Sequence, residues 1–144
     1  MHTEVSIDIN AAPDRVWDVM SDVESWPQWT PSIKHVDKLF DGPLAKGART
    51  RIAQPKAPVA VWTVTEIEPG KFFEWETSSP AITSVAAHRI EPTGDGSKVT
   101  LTVEHSGLFT VVMGWWLKSI SRKYVEMEAK GLKARAETGD SYKI

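Results

Sequence analysis

The chain has 144 residues, 41% of them hydrophobic and 25% charged, with a formal net charge of -2. That size and balance suit one soluble globular domain spanning residues 1–144, and they supply no basic face for a nucleic acid. Cysteine is absent, which excludes disulfides, thiol nucleophiles and Cys-based metal sites.

The first ten residues alternate charged and apolar side chains and carry neither a basic leader nor an apolar core, so no signal peptide is expected. With no cysteine either, the expected location is the cytoplasm. Val5, Ile7 and Ile9 share one face of a strand over Thr3–Ile9, opposite Glu4, Ser6 and Asp8. Pro13 suits a first helical position, and Val16, Trp17 and Met20 follow at helical spacing, which predicts a short helix over Pro13–Met20. Ser21 or Asp22 can cap a second short helix that Pro27 and Pro31 end. Trp26 and Trp29 lie in that turn, either plugging the base of the domain or walling an entrance.

Strands and tight turns follow. The spacing predicts strands over Ile33–Phe40, Ala48–Gln54, Val59–Glu68, Lys71–Ser79, Ile82–Glu91 and Lys98–His105. Pro69-Gly70 fits the centre of a type II turn. Parity places Ile52 and Gln54 on one face of their strand, with Phe73 and Trp75 together on the next-but-one, and Ala86, His88 and Ile90 together on the strand after it. Both faces of Val59–Glu68 are partly apolar, so its parity is unassigned. His105 continues the inward parity of its strand, but Ser106-Gly107 can turn it outward; His2 and His35 are expected at the surface.

The last element changes period. Met113, Leu117, Ile120, Tyr124, Met127, Gly131 and Ala134 recur every three or four residues, opposite Lys118, Arg122, Glu126, Lys133 and Glu137. A helix from Thr110 to Glu137 would run roughly 40 Å, enough to cross a sheet. Leu117, Ile120, Tyr124 and Met127 are expected to look inward. The most apolar run, Leu108–Leu117, is far short of the roughly 20 residues a membrane helix needs, so no stable membrane insertion is expected.

These elements make an α+β protein: a curved antiparallel sheet of six or seven strands, two short helices and one long C-terminal helix gripped by the sheet. The order, with Ala12-Pro13-x-x-Val16-Trp17, Asp22-Val23-x-x-Trp26-Pro27-x-Trp29, Gly47, Trp62-x-Val64-x-Glu66, Phe73-x-Trp75, His88-Arg89-Ile90-Glu91-Pro92, Gly94-Asp95-Gly96-Ser97 and Gly131-Leu132, resembles the START/Bet v 1-like (SRPBCC) superfamily, in its bacterial polyketide cyclase/dehydrase-like branch. The resemblance implies a helix-grip fold with a cavity between sheet and helix that holds lipids, polyketides or other hydrophobic molecules. It does not imply one activity, because the superfamily includes carriers, sensors, cyclases and chaperone regulators.

The first expectation is therefore a carrier or sensor of a hydrophobic or amphipathic small molecule, with no cofactor, acting as a monomer or homodimer. The alternative is a cyclase, aromatase or dehydratase, a lyase or isomerase using the same cavity. A protein-interaction role is the third. Ile52, Gln54, Phe73, Trp75, Ala86, His88 and Ile90 from the sheet would contact the ligand, with Leu117, Ile120, Tyr124 and Met127 from the helix. Cyclase chemistry would need a general base near an enolisable carbonyl, a role open to His88 with Tyr124; with no H-E-x-x-H or G-x-S-x-G motif, zincin and α/β-hydrolase chemistry have no support. Emptying a core costs about 24 cal/mol per Å³. A void of a few hundred Å³ would therefore rival the stability of the whole domain, so the seven tryptophans must fill it, or water or a ligand must occupy it.

Overall fold

The structure, a computed structural model, describes residues 1–138. Its elements run β1 (His2–Ile9), α1 (Pro13–Ser21), a 3-10 turn (Val23–Gln28), β2 (His35–Lys38), β3 (Arg49–Ala53), β4 (Ala60–Glu68), β5 (Phe72–Ser78), β6 (Thr83–Pro92), β7 (Ser97–Ser106) and α2 (Leu108–Thr138). One seven-stranded antiparallel sheet has the order β1-β7-β6-β5-β4-β3-β2. Strands β2 to β7 form a meander, and β1 returns to the β7 edge with Val5 opposite Leu101. This is the expected α+β helix-grip architecture, with α2 lying across the sheet.

Local chemistry sets the corners. Pro13 opens α1, where its missing N–H costs nothing. Gly70 takes φ +86° and the Lys71 N–H donates to the Glu68 carbonyl at 2.9 Å, closing the β4–β5 hairpin. Asp22 caps the 3-10 turn without a side-chain bond to its backbone; its carboxylate accepts instead from the Ser25 hydroxyl at 2.6 Å.

The two-faced pattern of β4 has a physical cause. The β4–β5 register slips between Val64 and Glu66, so Val64 opposes Trp75 while Ile67, three residues on, opposes Phe73. The bulge shifts parity by one residue. Trp62 and Val64 therefore share the inner side with Ile67, an arrangement that strict alternation cannot describe.

The buried line of α2 differs from the apolar stripe. It runs through Leu117, Ser121, Val125, Ala129, Leu132 and Ala136, together with Gly131. Ile120 and Met127 are only half-buried and Ala134 is exposed. Small residues sit on the buried line because the helix comes close to the chain beneath it. A Cβ on Gly131 would stand 1.9 Å from the Trp29 carbonyl oxygen. The far end of α2 is tied down by polar contacts. Arg15 donates to the Ala136 and Arg135 carbonyls at 3.3 and 3.2 Å, and Lys133 donates to the Asp8 carbonyl at 2.8 Å.

Candidate functional site

Aromatic rings fill most of the space between sheet and helix. Trp26 lies with its ring centroid 5.3 Å from Trp75, 5.5 Å from Trp29 and 5.6 Å from His88. His88 stacks face to face on Phe73 at 4.1 Å and 7°. A cavity of about 110 Å³ remains. That is below the several hundred Å³ typical of drug-sized sites and near the volume that admits a single small ring. The interior is thus neither sealed nor as roomy as the family resemblance implied.

Strand parity located much of the lining. Ile52, Gln54, Trp75, Ala86, His88 and Tyr124 all border this cavity. Phe73 does not: its ring lies beneath His88, fully buried in the aromatic cluster. Ile90 belongs to the core, and Leu117 is buried outside the lining. Ile120 and Met127 are likewise outside it, because α2 is rotated so that Ser121, Val125 and Glu128 face the space. Trp26 closes the inner end, while the half-buried Gln54, Trp62 and Tyr124 form the outer rim.

Five polar residues that sequence reasoning did not assign also border the cavity: Glu128, His105, Ser121, Thr102 and Ser32. His105 points inward. Its Nδ1 lies 2.7 Å from the Ser84 hydroxyl and its Nε2 lies 2.8 Å from the Ser121 hydroxyl. This buried Ser–His–Ser line joins β6, β7 and α2, and burial holds the His105 pKa below its ordinary value. The Tyr124 hydroxyl donates to the Pro55 carbonyl, tying α2 to the loop after β3. That bond leaves it poorly placed as a proton donor to the cavity.

The chemistry concentrates at His88 and Glu128. The His88 Nδ1 faces the Phe73 carbonyl at 3.4 Å. A carbonyl only accepts, so Nδ1 carries the proton and Nε2 presents a lone pair. Glu128 Oε2 faces that lone pair at 3.8 Å, too far for a direct hydrogen bond. Burial pushes the Glu128 carboxyl up to about 8. Burial likewise lowers His88 to about 4, against the smaller opposing effect of the Phe73 carbonyl. Near neutral pH the pair is therefore an un-ionised acid facing an un-ionised base. One ligand oxygen seated beside the gap reaches both, donating to Nε2 and accepting from the carboxylic acid.

This arrangement fixes a pH dependence. Between its unfolded value of 4.5 and its folded value of about 8, Glu128 keeps a proton in the folded state that the unfolded chain has released, so stability falls as pH rises. His88 acts in the opposite direction: the unfolded chain takes up a proton below 6.5 that the folded state refuses down to about 4. The two slopes cancel from 4.5 to 6.5, and from 6.5 to 8 only that of Glu128 remains. Unfolding free energy is expected to drop by about 2 kcal/mol across that upper window. Urea midpoints should show the drop in the wild type and not in Glu128→Gln; equal slopes in the two proteins would remove the assignment.

Among the described residues no group of His, Asp and Glu could hold a metal ion, and no helix is long and apolar enough to cross a membrane.

Known proteins share this frame. The structure is similar to TTHA0849 from Thermus thermophilus, with a TM-score of 0.77 and 17% identity over 94% of this chain and 97% of the other. It is similar to a START superfamily protein from Mycobacterium smegmatis, with a TM-score of 0.73 and 21% identity over 94% and 96%. It is similar to the Zhui aromatase/cyclase from Streptomyces sp. R1128, with a TM-score of 0.70 and 18% identity over 94% and 93%. At these identities the likeness is one of fold. No curated protein matches the sequence significantly. The model of the family described as "Polyketide cyclase / dehydrase and lipid transport" matches residues 1–137, and with that near-complete match the chain belongs to this family.

Proposed function

We propose that the protein binds a small amphipathic molecule, as a carrier or sensor, with an apolar body against Trp26, Trp62 and Trp75 and a hydroxyl at His88 and Glu128. One observation carries this reading. Inside an aromatic-lined cavity, a carboxylic acid and an imidazole nitrogen face each other at 3.8 Å with no hydrogen bond between them. Polar groups that face each other unbonded across an apolar cavity favour a ligand that bonds to both. A cavity of about 110 Å³ favours a single ring or a short chain over a whole polyketide.

Phenol and toluene make the test, since they differ by the hydroxyl at nearly constant size. Calorimetric titration is expected to favour phenol by about tenfold, the value of one to two buried hydrogen bonds. Glu128→Gln and His88→Phe should each shrink that preference, and native mass spectrometry with solvent extraction would identify any natural ligand. Absence of binding, or equal binding of both probes in the wild type, would overturn the reading.

The same pair supports a second reading, a dehydratase. His88 Nε2 takes the proton alpha to a carbonyl while the Glu128 acid gives its proton to the departing beta-hydroxyl. A C=C bond forms, water leaves, and proton transfer from His88 to Glu128 restores the pair. With a short β-hydroxyketone as probe, Glu128→Gln would lower turnover about 10²-fold or more while leaving binding within a few-fold. No turnover above the buffer rate leaves the carrier or sensor reading in place of this one.

A further inference from the structure

Among the described residues six large hydrophobic side chains are exposed, and four of them, Leu108, Val111, Val112 and Trp115, fall within the first eight residues of α2. They are 70, 80, 66 and 78% exposed. Leu108, Val111 and Val112, spaced by three and one, share one face of the first turns, and Trp115 follows just beyond Met113; all four side chains face away from the protein. The inner side of the same turns is supplied by half-buried Phe109 and Trp116, which pack edge to face with centroids 6.3 Å apart. The segment is seated firmly. The Phe109 N–H donates to the Ala81 carbonyl at 2.9 Å, and a Cβ on Gly107 would come within 2.6 Å of that same oxygen. The helix departs from helical geometry at Met113 (φ -120°, ψ 27°), inside the apolar stretch. Scattered apolar residues need no partner, but four exposed within eight anchored residues form a patch that does.

Charge selects the partner. The outward face continues through exposed Lys118 and Arg122, with Lys123 beside them, and no Asp or Glu occurs from His105 to Val125. The nearest carboxylate along the helix is Glu126, 3.0 Å from Arg122. In a chain of net charge -2 this is a local basic surface next to an apolar one. A second copy fits poorly, because a two-fold contact would oppose these cations with the same cations. An apolar turn holding tryptophan and branched aliphatics, followed by lysine and arginine, matches the interface of an anionic bilayer.

We propose that this face docks the protein on an anionic membrane surface. Leu108, Val111, Val112 and Trp115 enter the headgroup boundary, and Lys118, Arg122 and Lys123 meet lipid phosphates. The contact is peripheral, since no described helix could span. It goes beyond the ligand reading and stands without it. Ser121 and Tyr124, which line the cavity, follow Trp115 by six and nine residues, about 9 and 14 Å along the helix. Docking therefore brings the cavity close to the bilayer.

The test is co-sedimentation of the full chain with vesicles of phosphatidylcholine alone and with about 30% phosphatidylglycerol, at low and high salt. Binding is expected on the anionic vesicles, about tenfold weaker on the neutral ones and weakened by salt. Val111→Asp with Trp115→Asp should abolish it, and Lys118→Glu with Arg122→Glu should reduce it about tenfold or more. All four positions are exposed, and circular dichroism verifies the fold of each variant. Glu128→Gln should bind vesicles as the wild type does, so failure of the ligand reading leaves this result intact. No sedimentation with either vesicle, or binding unchanged by the two double variants, would overturn the proposal. So would a dimer, detected by sedimentation velocity, that Val111→Asp with Trp115→Asp dissociates, because a second copy would then cover the face.

Discussion

Trp26→Ala is expected to lower the unfolding free energy by about 3–5 kcal/mol and the melting temperature by about 10 °C. The indole is 2% exposed and lies within 6.4 Å, ring to ring, of Trp29, Phe73, Trp75 and His88. Its Nε1–H donates to the Met20 carbonyl at 3.0 Å, so truncation also strips a buried acceptor at the end of α1. Neighbouring rings belong to three different elements and cannot all close on the gap, which keeps the cost near the upper part of the range. The same change should enlarge the cavity beyond 110 Å³ and admit a two-ring compound that the wild type refuses. Equilibrium urea unfolding and calorimetry with naphthalene would check both parts. A loss below about 1 kcal/mol would show that the indole is not the keystone of this packing.

Gly131→Ala is expected to destabilise by about 3 kcal/mol, against the roughly 1 kcal/mol gain that alanine brings to an ordinary helix interior. The reversal of sign comes from one distance. The new methyl would meet the Trp29 carbonyl oxygen at 1.9 Å and its carbonyl carbon at 2.9 Å, and backbone cannot swing aside as a side chain can. Relief requires α2 to lift from the 3-10 turn, which separates Leu132 and Ala129 from the core they complete. Because Glu128 sits one turn away on the same helix, the lift should also widen the gap to His88 and weaken binding of a phenolic probe. Chemical denaturation reads the stability, and a stabilised or unchanged variant would contradict the close approach.

The strands were legible because alternation is a backbone property: side chains at i and i+2 share a face wherever a ladder is regular. Ile52, Gln54, Trp75, Ala86 and His88 came from that rule, and all five border the cavity. Trp62 did not, because the bulge after Val64 breaks the alternation that the rule assumes. His105 sat at a strand end, where Ser106-Gly107 left its direction open until two serine hydroxyls were found on its ring nitrogens.

The helix misled for a different reason. An apolar stripe marks the buried face only where a helix packs on apolar side chains. Here α2 covers a partly polar cavity and nearly touches the backbone at Trp29, so the buried line favours Ser121, Ala129 and Gly131, with Glu128 beside it. Meanwhile Leu108, Val111, Val112 and Trp115 are apolar and face solvent. A carboxylate among helix charges reads as a solvated side chain, and nothing local distinguishes Glu128 from Glu126.

By itself the sequence determined the element order, the antiparallel meander, the long closing helix and the inward set of most strands, because each follows from local periodicity and turn chemistry. Only the tertiary structure decided the rotation of α2, the volume left by the tryptophans and the meeting of Glu128 with His88. Those depend on how closely elements far apart in the chain approach one another. A shift of an ångström there separates a filled core from a cavity and an ordinary carboxylate from a buried acid.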